Sequence, residues 1–475
     1  MCLRRAFVAS KYGNRNQKTN SENRKQKIMR VLKTCLMLVL LTNMGCQLTV
    51  CGQEKQQPMN IIFIQADDLG YGDLGCYGQK IIKTPNLDMM ASEGVRFTNY
   101  HASCSVCSPS RGSLLQGKHT GHSTIRTNQG KPPNPALRAD DVTIAKVLQN
   151  SGYRTGMIGK WGLGDLGSTG SPEKQGFDYV FTFDPNSSAD FYYPERMARI
   201  RNGETTTVTF PSATYVQDIL TLEAKEFIAR EKEHPFFVYL NYVIPHAPYE
   251  IPSNHPYEKE PLTEDEKNFA AMITYLDKDC GALMQELRDE GLFENTVVFF
   301  TSDNGPEGAN VFQSAGPFNP DKVKRTLYQG GLEVPFVVHF PGKSGKVVND
   351  LFAGYDFFET AAEIASVPQS ALPAGLDGVS MLPSITGEGE QLEHQFLYWE
   401  FPVKNSKMLT KAVRIGPWKA IQVTSRRRNR IRELSFKLYN LDEDTAERTD
   451  IASLHPDIAQ QMRRIMVQEH VDPVN

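Results

Sequence analysis

The sequence lacks the cysteine density, the internal repeats and the low-complexity tracts that mark a disulfide scaffold, a repeat protein or a disordered chain. Eight cysteines are too few to crosslink 475 residues into a stable fold. The composition, with 40% hydrophobic and 23% charged residues, is that of an ordinary globular protein. The length allows two to three domains, or one large α/β domain joined to a smaller one.

An excess of basic charge is also missing from most of the chain. Residues 1–33 contain ten Lys or Arg and one acid, Glu22, which leaves 42 basic and 54 acidic residues in the remainder. Because nucleic-acid-binding domains are usually basic, this acidic remainder predicts that nucleic acid is not a partner.

A hydrophobic run long enough to cross a membrane is the third absence. The apolar stretch within residues 31–51 has an uninterrupted part only about half of the roughly 20 residues that a span needs. It follows a basic segment and precedes small residues, which predicts a signal peptide over residues 1–52, cleaved near Gly52, and an exported protein, periplasmic or secreted. Met29 is an alternative start that would make residues 1–28 an error of start assignment. A lipoprotein anchored at Cys46 and an uncleaved membrane anchor are the competing interpretations.

Apolar runs that alternate with helical patterns predict an α/β fold. We expect strands at 60–64, 154–159, 236–243, 296–301 and 334–340, and helices at 144–148, 216–230 and 269–287. Such alternation favours a mostly parallel sheet sandwiched by helices, within a catalytic domain over residues 53–370.

Beyond a Pro-, Gly- and Ser-rich stretch at 370–395, the pattern changes to shorter elements. Strands are expected at 396–401, 412–415, 419–423 and 437–439, with a closing helix at 456–467. This pattern predicts a smaller C-terminal α+β subdomain over residues 371–475, built on a short antiparallel sheet.

Polar residues cluster where two apolar strands end. Asp67 and Asp68 follow one strand, and Asp303 and Asn304 follow another. In open α/β sheets, ligands bind beyond the carboxyl ends of the strands. Four oxygen ligands from two such ends suit calcium or magnesium. The alternative is that each pair only caps a turn, which Asp and Asn favour.

Residues 107–118 read C-S-P-S-R-G-S-L-L-Q-G-K, with Pro109 suited to the first turn of a helix. Cys107 would then lie at the start of that helix, where backbone N–H groups favour an anion such as sulfate or phosphate. Arg111 is spaced to reach back toward it. Cys104 and Cys107 also form a C-x-x-C pair, which in an exported protein suggests a redox pair or half of a metal site. No second C-x-x-C supports the metal interpretation.

The string C-S-P-S-R-x-x-x-L-x-G-K closely resembles the signature of type I sulfatases, and the chain from about residue 60 to its end resembles a sulfatase of the alkaline phosphatase superfamily. The resemblance implies an alkaline-phosphatase-like fold. It implies that a formylglycine-generating maturation enzyme converts Cys107 to formylglycine, whose aldehyde hydrate is the nucleophile. It also implies a calcium ion held by the set Asp67, Asp68, Asp303, Asn304 and the modified Cys107.

Three further residues match family motifs. Lys160, in G-K-W-G-L-G, matches a lysine that contacts both the hydrate and the sulfate, and Lys324 matches a second sulfate-binding lysine. His246, in I-P-H-A-P, matches the histidine beside the leaving-group oxygen. With Cys107 and Arg111 they complete the predicted catalytic set. Taken alone, Lys160 would rather be interpreted as a solvated turn lysine and His246 as a satisfied strand-end histidine, and it is the complete set that favours the functional interpretation.

The resemblance implies removal of sulfate from a sulfated oligosaccharide or polysaccharide. One alternative is a phosphomonoesterase or phosphodiesterase of the same superfamily, which typically uses Ser or Thr with two transition metals. The other is a non-catalytic glycan-binding relative.

One position departs from the family pattern. Many sulfatases have histidine where this chain has Gly162, and that histidine is thought to act as a base. His119 and His122 are the nearest replacements by sequence, with a structural role as the alternative. Glycine also occurs there in a branch associated with sulfated carbohydrates, so it does not imply inactivity.

Two surface features remain open. Arginines at 426, 427, 428, 430 and 432 form either a solvated hairpin loop or a patch for a polysulfated glycan. Four aromatic residues are either sugar-stacking or core residues: Phe191, Tyr192, Tyr193 and Trp399.

Overall fold

The computed structural model describes Met29 and residues 58–128, 135–184, 192–308, 312–403, 406–427 and 430–472. Apart from Met29, the predicted signal peptide at 1–52 lies outside these ranges, and so do Cys46, Phe191 and Arg428. In the described ranges, no helix is both long and apolar enough to span a membrane. Residues 58–475 form one compact unit, and the boundary at 370/371 stays a prediction.

The strands alternate with helices as expected. The strands are β1 Asn60–Ala66, β2 Val95–Phe97, β3 Tyr100–His101, β4 Arg154–Gly159, β5 Tyr179–Thr182, β6 Arg196–Arg201, β7 Glu204–Thr209, β8 Phe236–Asn241, β9 Thr296–Ser302, β10 Phe336–His339, β11 Lys346–Val348, β12 Phe352–Ala353, β13 Leu397–Pro402, β14 Met408–Ile415, β15 Trp418–Arg427 and β16 Arg430–Asn440.

The helices lie between these strands and at the end of the chain. They are α1 Pro85–Glu93, α2 Cys107–Gln116, α3 Ile144–Asn150, α4 Val216–Glu231, α5 Glu264–Asp289, α6 Gln329–Leu332, α7 Phe357–Ile364, α8 Leu382–Thr386 and α9 Pro456–Gln468.

The large sheet has ten strands in the order β11-β2-β10-β9-β1-β8-β4-β5-β6-β7. Its centre, β9-β1-β8-β4-β5, is parallel. β10 runs antiparallel to β9, and β6 and β7 add an antiparallel edge at the other side. The predicted mostly parallel sheet between helices is therefore confirmed, with antiparallel strands added on both sides.

Two apolar cores cover the two faces of this sheet. Successive side chains of β1 point to opposite faces, so Ile62 and Ile64 enter one core while Ile61 and Phe63 enter the other. Helices α1, α4 and α5 close the first core, and α2, α3 and α7 close the second. A central strand buried on both sides needs the continuous apolar run that its sequence has.

The C-terminal sheet is an antiparallel meander in the order β13-β14-β15-β16, as predicted. One face packs against α9 through Met462 and Met466. The opposite face packs through Trp399 onto Leu327 and Leu332. The four-stranded sheet therefore lies directly beside the segment that carries Lys324.

Candidate active site

The register of two parallel strands positions the acidic residues. Ala66 of β1 pairs with Ser302 of β9, so the residues that follow, Asp67 and Asp303, leave the sheet side by side. The Asp303 amide donates to the Ala66 carbonyl at 3.1 Å, and the Asp68 amide donates to Asp303 Oδ1 at 3.3 Å. The two predicted pairs thus meet at one edge of the sheet.

The neighbouring strands deliver the basic residues to the same edge. Lys160 follows β4, and its amide donates to the carbonyl of Asn241, the last residue of β8. His246 lies in the loop that continues from β8. Four adjacent strands therefore supply the site at their carboxyl ends, as expected for an open α/β sheet.

Cys107 is the first residue of α2, and Arg111 follows one turn later on the same side of the helix. Cys107 Sγ lies 3.4 Å from Asp67 Oδ1. Burial and the negative charges of Asp303 and Asp67 raise the pKa of the Cys107 thiol well above its usual value. The unmodified side chain is therefore a neutral thiol at physiological pH.

The Arg111 side chain is completely buried. Its Nε and Nη2 donate to Asp303 Oδ2 at 3.0 and 2.7 Å, and its Nη1 donates to Asn241 Oδ1 at 2.8 Å. Both of these donors converge on the single oxygen Oδ2, and the two charge-assisted hydrogen bonds fix the Asp303 carboxylate. Arg111 is therefore oriented toward Asp303.

Four potential metal ligands converge at this edge. Ligand atoms of Asp67, Asp68, Cys107 and Asp303 all lie within 4.8 Å of one another, and all four residues are buried. Asn304 donates through Nδ2 to Asp68 Oδ1 at 2.7 Å, whereas its buried Oδ1 has no hydrogen-bond partner among the described residues. A buried amide oxygen without a donor, beside three carboxylates, fits a hard oxygen-binding cation such as calcium.

Two lysines and a histidine surround these carboxylates. Lys160 Nζ lies 2.5 Å from Asp67 Oδ2, and Lys324 Nζ lies 2.6 Å from Asp68 Oδ2. His246 Nε2 lies 3.7 Å from the same Asp68 oxygen. The side chains of Lys160 and His246 are 13% and 19% exposed, while Asp67 is fully buried. A substrate therefore reaches the cluster from the side of Lys160 and His246.

The charges also govern the ionisation of Asp67. Burial alone would raise the pKa of Asp67, but the positive charge of Lys160, followed by those of His246, Arg111 and Lys324, holds that pKa far below its usual range. Asp67 therefore stays ionised and available as a ligand.

The backbone at Asp68 is unusual. Asp68 has a φ of 68°, in the left-handed region that non-glycine residues rarely adopt. Such conformations cost on the order of 1–3 kcal/mol and concentrate at functional sites. Here the left-handed turn directs the Asp67 and Asp68 carboxylates into the same cluster.

Gly162 lies next to the start of α2. Its φ is 76°, and a Cβ at this position would lie 3.1 Å from Ser108 Oγ, one residue after Cys107. Position 162, where the resemblance described above leads us to expect histidine, therefore borders the helix that begins with Cys107, and it carries no side chain here.

His119 and His122 do not replace it. They follow the far end of α2, and a ten-residue helix is about 15 Å long. His119 Nε2 contacts Glu469 at 3.2 Å, and His122 Nδ1 contacts Asp377 at 3.0 Å. Of the two interpretations, the structure favours the structural role, because both histidines belong to a separate cluster with Asp377 and Glu469.

The structure also bears on two further predictions, which concern the aromatic residues and the C-x-x-C pair. Tyr192 and Trp399 are 1% and 0% exposed and belong to the core, whereas Tyr193 is partly buried against it. Cys104 and Cys107 are both free thiols, and burial raises the pKa of Cys104 to about 12.

Sequence reasoning missed three site residues. Asn241 binds Arg111, Glu307 contacts Lys324 Nζ at 3.0 Å, and Asn128 Oδ1 accepts from the Ser108 amide at 3.0 Å. Only Asn241 carried a readable signal, since it is the polar end of an apolar strand.

Comparison with known proteins points to one family. Residues 59–367 match the family model described as Sulfatase, and residues 321–472 match the one described as N-sulphoglucosamine sulphohydrolase, C-terminal.

Individual relatives agree with this match. The chain is 29% identical to an N-acetylgalactosamine-6-O-sulfatase of Bacteroides thetaiotaomicron, over 92% of this chain and 98% of that protein. It is 33% identical to arylsulfatase A of Homo sapiens, over 78% and 76% of the two chains. The solved structure of Ps i-CgsB in complex with k-i-k-neocarrahexaose has a TM-score of 0.72 and 28% identity, over 88% of this chain and 94% of that one. Because the family match covers residues 59–367 and includes every member of the carboxylate cluster, the chain belongs to the sulfatase family and is a sulfuric ester hydrolase.

Proposed function

We propose that this sulfatase removes sulfate from sulfated carbohydrates, using a formylglycine derived from Cys107 and a calcium ion. The observation that carries the proposal is the buried cluster of three carboxylates and Cys107, with the unpartnered Asn304 oxygen beside it. The sugar class is supported by the names of two similar proteins, one an N-acetylgalactosamine-6-O-sulfatase and one solved in complex with k-i-k-neocarrahexaose.

Asp67, Asp68, Asp303 and Asn304 would hold the calcium together with the modified residue 107. When bound, calcium neutralises the negative charge of the ester and lowers the pKa of an oxygen ligand. Formylglycine supplies an oxygen nucleophile in place of the neutral thiol.

The charged side chains have separable tasks. Lys160 and Lys324 provide the positive charge that a sulfate ester needs in order to approach three carboxylates. The Arg111 guanidinium donates its hydrogen bonds to the Asp303 carboxylate and to Asn241. We therefore assign Arg111 as a positioning residue that acts through Asp303.

His246 is placed to donate a proton. Its Nδ1 lies 2.5 Å from the Ala247 carbonyl, which only accepts, so Nδ1 carries a proton and Nε2 faces the site. In the imidazolium form, the Nε2 proton is available to a departing sugar oxygen.

The maturation enzyme and the cell compartment belong to the same proposal. Cys107 to Arg111 are all buried in the folded protein, so conversion of Cys107 requires access before folding is complete. Export to the periplasm or the medium, with anchoring at Cys46 as the alternative, rests on sequence alone.

The first prediction concerns the nucleophile. Cys107→Ala should abolish sulfate release, because no oxygen nucleophile can be formed, while the far-ultraviolet circular dichroism stays unchanged. Intact mass of the wild-type peptide that contains Cys107, after expression with a maturation enzyme, should show the aldehyde. Cys104→Ser is the matched control and should retain activity. Substantial activity in Cys107→Ala would refute the mechanism.

The second prediction concerns the metal. Chelation should inactivate the enzyme, and calcium should restore activity better than zinc, since the donors are all hard oxygens. Elemental analysis should find one calcium per chain. Two zinc ions per chain would instead favour the phosphatase alternative.

The third prediction concerns Arg111. Arg111→Met should destabilise the calcium-free protein by about 3–5 kcal/mol, because Asp303 is left as an uncompensated buried charge. Added calcium should recover part of this loss, since it compensates the same carboxylate. Thermal unfolding with and without calcium measures both effects. Arg154→Met, at a 53% exposed side chain, is the control and should show neither. A loss independent of calcium would mean that Arg111 is only structural.

The fourth prediction concerns the leaving group. A sugar alkoxide is too basic to depart unaided, whereas nitrophenolate is not. His246→Ala should therefore reduce turnover of a sulfated sugar by about 10²–10⁴-fold and turnover of nitrophenyl sulfate much less. Equal losses on both substrates would remove His246 from the role of acid.

A further inference from the structure

The arginine-rich segment of the C-terminal sheet is a distinct surface, which we call the arginine hairpin and define as residues 425–427 and 430–433. Ser425 pairs with Arg432 and Arg427 with Arg430 across β15 and β16. Val423 pairs with Ser435 but Thr424 pairs with Glu433, so Leu434 is an extra residue and forms a bulge. The hairpin begins at this bulge.

Burial changes at the same point. Before the bulge, β16 contributes Leu438 and Tyr439 to the apolar cores. Beyond it, residues 430–435 are exposed on both faces of the strand, and the side chain of Ile431 is 65% exposed. The arginines of β16 therefore do not cover any core with their aliphatic stems.

The acidic side chains near the hairpin already have partners other than Arg430 and Arg432. Glu433 accepts from Arg463 of α9 at 3.0 Å and from Gln422 at 2.7 Å, and Asp472 pairs with Arg426 at 2.9 Å. Within the described part of the chain, no acidic side chain lies within ion-pair distance of Arg430 or Arg432. Two residues apart on one strand, these two arginines share a face at a spacing of about 7 Å.

A short series of contacts connects the hairpin to the catalytic cluster. Arg426 pairs with Asp472, and the preceding residue, Val471, accepts from Arg126 at 2.6 Å. Two residues further along from Arg126, Asn128 accepts from the amide of Ser108, which follows Cys107. This series of contacts links the hairpin to residues 126–128, whose Asn128 holds the first turn of α2.

We propose that the arginine hairpin is an accessory site that binds a polysulfated glycan chain near the ester to be cleaved, an inference that rests on the proposed function. All five basic residues at 426–432 are arginines, whose planar guanidinium groups bind oxyanions in a bidentate manner. The rest of the chain after residue 33 carries an excess of acids, so a local group of arginines is distinctive on this protein and favours binding of a polyanion.

The experiment compares the full-length enzyme with the double variant Arg430→Gln, Arg432→Gln. Binding of fluorescent dextran sulfate should weaken about tenfold, with a shallower dependence on salt, because two exposed ion contacts are lost. Sulfate release from a sulfated monosaccharide should stay unchanged. The matched control is Arg196→Gln, Arg201→Gln, at two exposed arginines of β6, and should bind like the wild type.

The outcomes separate this proposal from the proposed function. Failure of the wild-type enzyme to release sulfate from any ester would refute the function, whereas dextran sulfate binding needs no turnover. Unchanged binding in the hairpin variant would show that the arginines only protect the edge strand from pairing. Equal weakening in the control variant, or loss of binding to phosphatidylglycerol vesicles without loss on dextran sulfate, would also overturn the glycan assignment.

Discussion

The whole site depends on the parallel pairing of β1 and β9, which brings three carboxylates together in a buried place. Ionised carboxylates taken out of water repel one another and need compensating charge. Arg111 supplies it permanently from inside the fold, through two hydrogen bonds to Asp303. Lys160 supplies it from the side that the substrate approaches, and the buried Lys324 supplies it beside Asp68. The same cations that make the cluster tolerable in the folded protein thus attract a sulfate ester to it.

Sequence reasoning located the elements whose role follows from apolar burial. The central strands β1, β8 and β9 are mainly apolar runs, and the polar residues that follow β1 and β9 identified most of the cluster. The edge strands β6 and β7 were not predicted, because Arg196–Arg201 and Glu204–Thr209 are polar, and strands of this kind are defined by pairing with a neighbour. The change to a Pro- and Gly-rich composition near residue 370 correctly predicted that a separate antiparallel sheet follows.

Contacts between side chains from distant segments could not be predicted from the sequence. The spacing of Arg111 from Cys107 predicted that Arg111 reaches back toward Cys107. Helical spacing shows only which face of the helix carries a side chain, and it does not show what lies opposite that face. The partner of Arg111 is Asp303, which follows β9. Glu307 and Asn128 lie in loops whose course no periodic pattern describes. His119 and His122 are close to Cys107 along the chain, yet α2 separates them by its full length.

Gly162 leaves the site with one imidazole. Among the described residues, His246 is the one histidine in contact with the carboxylate cluster, and its Nδ1 is committed to the Ala247 carbonyl. Only Nε2 can therefore exchange protons with bound groups. A histidine that has given its proton to a leaving group is neutral, and a neutral imidazole next to Asp68 is a base. A single imidazole is thus compatible with turnover if His246 acts first as the acid for departure of the sugar and then as the base. Both steps would use the same nitrogen, Nε2.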